Sequence, residues 1–319
     1  MASQETQSHK SDPFGAPFGD PFGAPFGDRL AAALAATKTP LCMGIDPHKA
    51  MMTPLFCDAA GTPSLSGLRD FALTLVDAAT GLVPAIKPQA AMFEAYGPEG
   101  VAILAETAKA AQAAGLLVIM DAKRGDIGST SEAYANAYLG ADAPFPSDAL
   151  TINPWMGLDT LAPFMTRAKQ TNSGLFILVR TSNKGAADLQ EQTLVGGHLA
   201  YQQLAHDLAP LIEDAKGTSG LSSFGIVAGA TVPEQAEDLR KILPSAPFLI
   251  PGFGAQGAGP AHATIALGRS DNSFTGGLVN SSRGIIFCEG AQKATSLTDY
   301  KQAVIDAIKE QTALLQTAL

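Results

Sequence analysis

The chain has 319 residues, 46% of them hydrophobic and 16% charged, enough apolar material for a large core in one α/β barrel or in two smaller domains. A formal net charge of -9 leaves no basic surface of the kind that nonspecific binding to nucleic acid or anionic membranes needs, so any anionic ligand has to be held locally. Three widely spaced cysteines (Cys42, Cys57, Cys288) give neither a disulfide framework nor zinc-ligand pairs, and the five histidines form no His-x-x-x-His pair. No apolar run reaches the roughly 18 residues of a membrane helix, and residues 1–10 lack a signal-peptide pattern, so the expected compartment is a reducing cytoplasm.

Residues 13–28 read Pro-Phe-Gly-Ala-Pro-Phe-Gly-Asp twice over, and this Pro and Gly content opposes regular structure. The composition predicts a disordered low-complexity tail over 1–28, ahead of a single domain over 29–319. An alternative is a linear motif whose Phe14, Phe18, Phe22 and Phe26 dock on a partner.

From Leu41 onward, short apolar runs alternate with alanine-rich helical stretches. Strands are predicted over 41–46, 85–89, 117–123, 149–153, 175–181, 224–228, 248–252 and 277–281. Helical stretches are predicted to begin near Leu65, Pro98, Ser129, Leu158, Gly197, Pro233, Gln256 and Ala291. Such alternation matches a (β/α)8 TIM barrel, whose active site sits at the carboxyl ends of the strands. A doubly wound open sheet competes, but the first strand leads into Gly44-Ile-Asp-Pro47, which is no dinucleotide-binding glycine fingerprint.

Read to their carboxyl ends, the strands finish in Asp46, Lys87, Asp121 with Lys123, Asn153, and Thr181 with Ser182 and Asn183. Gln256 follows the seventh strand, and Ser281, Ser282 and Arg283 end the eighth. In the third strand, residues two apart share a face, so Asp121 and Lys123 project together while Asp126 lies on the turn beyond. A lone lysine in an apolar strand is costly to bury unless paired, so Lys87 wants Asp121 or Asp46 beside it. The glycine-rich turn with Gly252, Gly254, Gln256 and Gly257 offers backbone N–H groups to a phosphate. Ser282, Arg283 and Gly284 add a hydroxyl and a guanidinium after the next strand, where many barrels bind phosphate.

These segments, Gly44-Ile-Asp46-Pro47, Lys87-Pro-Gln, Asp121-Ala-Lys123-Arg-Gly-Asp126-Ile-Gly-Ser-Thr130, Thr151-Ile-Asn153-Pro and Val179-Arg-Thr181-Ser-Asn183, together with the Gly252 and Arg283 turns, resemble the orotidine 5'-phosphate decarboxylases, specifically their longer type 2 branch. The resemblance covers nearly all of the chain from Leu41 and leaves the Phe-Gly repeats outside it. It implies a (β/α)8 homodimer with shared active sites that converts orotidine 5'-phosphate to UMP in de novo pyrimidine biosynthesis, without metal or organic cofactor. By the motif match, Lys123 would be the proton donor and Asp121 would abut the substrate carboxylate. Lys87 would separate the carboxylates, Asp126 would reach into the neighbouring subunit's site, and Asp46 would hold ribose hydroxyls. Thr181, Ser182 and Asn183 would face the pyrimidine, the Gly252 turn with Gln256 and Arg283 would face the phosphate, and residues 183–197 would form a lid.

Two other readings compete. Sugar-phosphate decarboxylases and aldolases on the same barrel use Asp-x-Lys-x-x-Asp carboxylates to hold Mg2+, so metal dependence separates them from the first reading. A non-enzymatic barrel that binds nucleotides or displays the Phe-Gly tail is the third; the full set of charged groups argues against it.

Overall fold

The computed structural model describes residues 22–254, 257–270 and 273–319. Strands β1 (Leu41–Ile45), β2 (Ala85–Pro88), β3 (Leu117–Arg124), β4 (Ala149–Ile152), β5 (Gly174–Arg180), β6 (Phe224–Ala228) and β7 (Phe248–Ile250) lie side by side in chain order. A short antiparallel ribbon, β8 (Gly268–Ser270) with β9 (Ser273–Thr275), precedes β10 (Gly277–Ser281), which pairs in parallel with both β7 and β1 and closes the barrel. The expected (β/α)8 barrel is therefore the fold, with each predicted strand present to within two residues at either end.

The near-continuous apolar character of the strands follows from burial on both faces. One set of alternate residues, including Met43, Ile86, Val118, Leu150, Ile177, Ile226, Ile250 and Val279, packs in the layer between sheet and helices. The other set, including Cys42, Ala85, Ile119, Ala149, Phe176, Val227, Leu249 and Leu278, fills the barrel interior. Helix starts obey local rules. Ser64 caps Leu65–Ala79 by accepting from the Gly67 N–H at 2.9 Å, and prolines open the helices Pro98–Ala113 and Pro233–Ile242, where no N–H is needed. The helix expected near Gly197 starts at Ala200, and the last one resolves into Glu289–Lys293 and Leu297–Gln316. Past the seventh strand the first helix is Pro260–Thr264, and Gln256 lies outside the described residues.

The tail boundary expected at residue 28 is corrected. Phe26–Thr37 is a helix lying across the barrel's amino-terminal end, and its Phe26, Leu30 and Leu34 join the interior cluster. Phe26 meets Phe176 edge to face at 5.9 Å between centroids. Gly174 leaves room for it: a Cβ there would sit 2.2 Å from the Phe26 ring. Arg29 pairs with buried Asp148, and Asp28 accepts from the N–H groups of Thr218 (3.1 Å) and Ser219 (2.7 Å). Partial burial raises the Asp28 carboxyl, but these hydrogen bonds outweigh it and hold the group below its usual value. Composition alone misleads here because Pro25 precedes the first helical turn, which tolerates proline, and because burial of Phe26 supplies stabilisation the repeat lacks by itself. Residues 1–21 of the predicted tail lie outside the described residues. No helix among the described residues is long and apolar enough to cross a membrane.

Candidate active site

Above the interior cluster, at the carboxyl ends of the strands, a cavity of about 400 Å³ opens to the surface. Its walls continue the inward alternation of each strand. Asp46, Lys87, Gln89, Asp121 and Thr151 lie on the β1–β4 side, and Leu178, Val227, Leu249, Pro251 and Asn280 lie on the other. One wall is charged and the opposite one largely apolar, an arrangement that holds a flat, polar-edged ligand against fixed charges.

Asp121 is the hub of the charged wall. Its Oδ2 accepts from Lys87 Nζ at 2.8 Å and from Gln89 Nε2 at 3.0 Å, while its Oδ1 accepts from Lys123 Nζ at 2.5 Å and from the Thr151 hydroxyl at 3.1 Å. Lys87 and Asp121 are both buried, whereas the Lys123 side chain is half exposed to the cavity mouth. Burial pushes the Asp121 carboxyl up, but the two ammonium groups beside it prevail and hold it well below the usual carboxylate range. Burial likewise disfavours the Lys87 cation, yet Asp121 and then Asp46 outweigh it, so Lys87 is held charged well above the ordinary lysine range. Just beneath, burial pushes the Cys42 thiol up to about 12, so it stays neutral. Among the described residues, no group of three or more His, Cys, Asp or Glu side chains is arranged to hold a metal ion.

Asp46 stands on the far side of Lys87, with Oδ1 4.0 Å from Nζ and Oδ2 accepting from Ser282 Oγ at 2.5 Å. Gly44 makes that contact possible, since a Cβ there would lie 1.8 Å from Ser282 Oγ. Asp46 Oδ1 and Asn280 Oδ1 are buried without a hydrogen-bond partner among the described residues, leaving acceptors for a ligand's hydroxyl or N–H groups.

Of the other residues singled out in the sequence, Thr181, Ser182 and Asn183 line the cavity. Gln190 clamps Thr181 from the following segment, accepting from its N–H and donating to its hydroxyl, each at 2.9 Å. Ser282 joins the site through Asp46, and Arg283 is exposed at the start of the short helix Arg283–Ile286, with Gly284 next to it. Gly252, Gly254 and Gly257 all adopt positive φ in the turn after β7. The Gly254 and Gly257 N–H groups, however, donate to Ala258 and Gly254 carbonyls within that turn. None of these three glycines, nor Ser282, Arg283 or Gly284, lines the cavity, and neither do Asn153 and Asp126. Asn153 is exposed beyond β4 and accepts from the Trp155 N–H, while Asp126 accepts from its neighbour Ile127 N–H on the turn after β3. Sequence reading missed Gln89 and Thr151 as site residues, along with the apolar wall.

The comparisons agree with this geometry. The model of the Orotidine 5'-phosphate decarboxylase / HUMPS family matches residues 39–297. A Rhodopirellula baltica protein named orotidine 5'-phosphate decarboxylase is 39% identical over 279 residues, covering 85% of this chain and 91% of its own length. A Nocardioides protein of the same name is 43% identical, covering 72% of this chain and 81% of its own. The structure of Leishmania donovani OMP decarboxylase superposes with a TM-score of 0.67 at 30% identity, covering 92% of this chain and all of that one. Similarity of this extent, running through every barrel strand, makes the chain a member of the orotidine 5'-phosphate decarboxylase / HUMPS family.

Proposed function

We propose that this chain decarboxylates orotidine 5'-phosphate to UMP without a cofactor, using the Lys87–Asp121–Lys123 array, with Lys123 as proton donor. The observation that carries this is the half-exposed Lys123 ammonium held over the cavity by a carboxylate that is itself locked by Lys87. Loss of CO2 leaves an electron pair at C6 of the pyrimidine, and fixed cations next to that carbon stabilise it more in the transition state than in the ground state. Lys123 has the length and exposure to approach C6 and deliver the proton that replaces CO2. Asp121 would face the substrate carboxylate and be relieved of like charge as CO2 departs. Lys87 occupies the position between Asp46 and Asp121 where a divalent cation would otherwise bridge them, which favours the metal-free chemistry over a Mg2+-dependent sugar-phosphate reaction.

The finer roles follow from position. Asp46 would take ribose hydroxyls, and Thr181, Ser182 and Asn183 the pyrimidine edge. Arg283 would grip the phosphate, helped by Ser282 and Gly284, and the Gly252, Gly254 and Gly257 turn with Gln256 would add to that phosphate site. Residues 183–197, which carry the exposed Leu189, Leu194 and Val195, would be the lid. Asp126 accepts from the N–H of exposed Ile127, and Trp155 and Met156 stand exposed beyond β4. This suits a homodimer in which Asp126 enters the partner's site. A cytoplasmic location fits a soluble biosynthetic enzyme of this kind. The decisive experiment follows the loss of orotidine 5'-phosphate absorbance after exhaustive EDTA treatment. Full activity is expected, and activity that returns only with added Mg2+ would overturn the mechanism.

A further inference from the structure

The β3 ladder breaks where the chemistry sits. On β4, Leu150 and Ile152 pair with Met120 and Arg124, so the three residues Asp121, Ala122 and Lys123 stand opposite Thr151 alone. Such a bulge leaves backbone groups without ladder partners and re-aims side chains. Lys123 also holds φ at 46°, a left-handed conformation that a side-chain-bearing residue keeps only when its surroundings enforce it.

The enforcing group is the Thr151 hydroxyl. Its Oγ1 accepts from the Lys123 backbone N–H at 2.9 Å, replacing the missing ladder bond. Its single proton has two acceptors in range, Asp121 Oδ1 at 3.1 Å and the Met120 carbonyl at 3.4 Å, and the closer, charged one is favoured. Thr151 is 1% exposed, so nothing from solvent competes for these bonds. One buried oxygen thereby fixes both the backbone of the lysine and the carboxylate that orients its ammonium.

We infer that Thr151 is a positioning residue for the decarboxylation: its hydroxyl holds the β3 bulge and so sets where Lys123 Nζ stands over the cavity. This rests on the proposed function and extends it to a residue that touches no reacting atom.

The test compares Thr151→Val, which keeps the shape and removes the hydroxyl, with Thr151→Ser, which keeps the hydroxyl. Steady-state turnover of orotidine 5'-phosphate and the affinity for UMP are measured on each, with circular dichroism and Tm as fold controls. Displacement of a catalytic group by about 1 Å costs on the order of a hundredfold. We therefore expect Thr151→Val to lower kcat by about that factor, with KM and UMP affinity within about threefold of wild type, and Thr151→Ser to recover most of the loss. If the valine variant does not fold, Thr151→Ala is read by the same criteria. The inference is overturned if the folded variant keeps kcat within about twofold, if the serine variant is as damaged as the valine one, or if UMP affinity falls in parallel with kcat. Absence of turnover in the wild-type protein is a different failure, removing the proposed function itself and this inference with it.

Discussion

Replacing Phe26 with Ala probes the closed end of the barrel without touching the open one. The ring is fully buried, meets Phe176 edge to face and sits against Gly174, so truncation leaves a hole whose walls are barrel strands unable to collapse into it. Buried Phe→Ala changes cost about 3–5 kcal/mol. At about 2–4 °C per kcal/mol for a domain of this general size, Tm should fall by roughly 6–20 °C. Turnover of the folded protein at 25 °C should stay within about twofold of wild type, since conserving the bottom of such a barrel serves stability and the chemistry is at the top. Scanning calorimetry and an orotidine 5'-phosphate assay on the same preparation measure both. A Tm within about 2 °C of wild type would refute the docking of this helix. A large loss of kcat at unchanged Tm would refute the separation of the two ends. Deleting residues 1–28 removes the Asp28 caps as well, and should cost at least as much.

Lys123→Ala should lower kcat by at least about a thousandfold, the loss expected for one strong electrostatic contributor, and a loss below about tenfold would remove it as proton donor. For Arg283→Ala the main loss should be in kcat/KM for the phosphorylated substrate; equal damage on the unphosphorylated nucleoside would contradict a phosphate contact. Because Asp121 is held below its usual range, its contribution to stability is complete above the unfolded value of about 3.9 and is lost as pH falls further. Between about pH 4 and 2, wild type should therefore lose unfolding free energy more steeply than Asp121→Asn in urea titrations, and parallel slopes would show that the carboxyl is not so held. Mixing inactive Lys123→Ala and Asp126→Ala dimers should restore activity towards about a quarter of wild type if subunits exchange statistically. No recovery, with exchange confirmed by mass, would place Asp126 in its own subunit's site.

The strands and the charged wall were legible because both obey short-range rules. Aliphatic runs of strand length are visible in any one sequence, and Lys87, Asp121 and Lys123 break those runs where burial demands a partner. The finer lining was obscured by reading strands only to their last residue. The interior residues Cys42, Ala85, Ile119, Ala149, Phe176 and Leu278 point to the cavity by alternation alone. Stepping two residues on from them gives Gly44 and then Asp46, Lys87 and then Gln89, Asp121, Thr151, Leu178 and Asn280. Asn153 shares that parity but lies past the end of β4, where the chain turns and its side chain bonds the Trp155 N–H. The β3 bulge and the docking of Phe26 depend on contacts with residues distant in sequence, Thr151 for one and Phe176 for the other, and no local pattern announces them.

The neutral floor under the ions shapes where their field goes. Cys42 keeps its proton, and around it Ala85, Ile119, Ala149, Phe176 and Leu278, sealed from below by Phe26 and Leu30, form a poorly polarisable layer. Charges placed on such a layer are screened little from beneath, and water reaches them only from the mouth. The potential of the array is thus directed outward through the cavity mouth, where the half-exposed Lys123 ammonium, and not buried Lys87 with its partners Asp121 and Asp46, faces an arriving anion. In a protein of net charge -9, an anionic ligand thus meets the half-exposed Lys123 ammonium at the mouth although the charge of the surrounding surface opposes its approach.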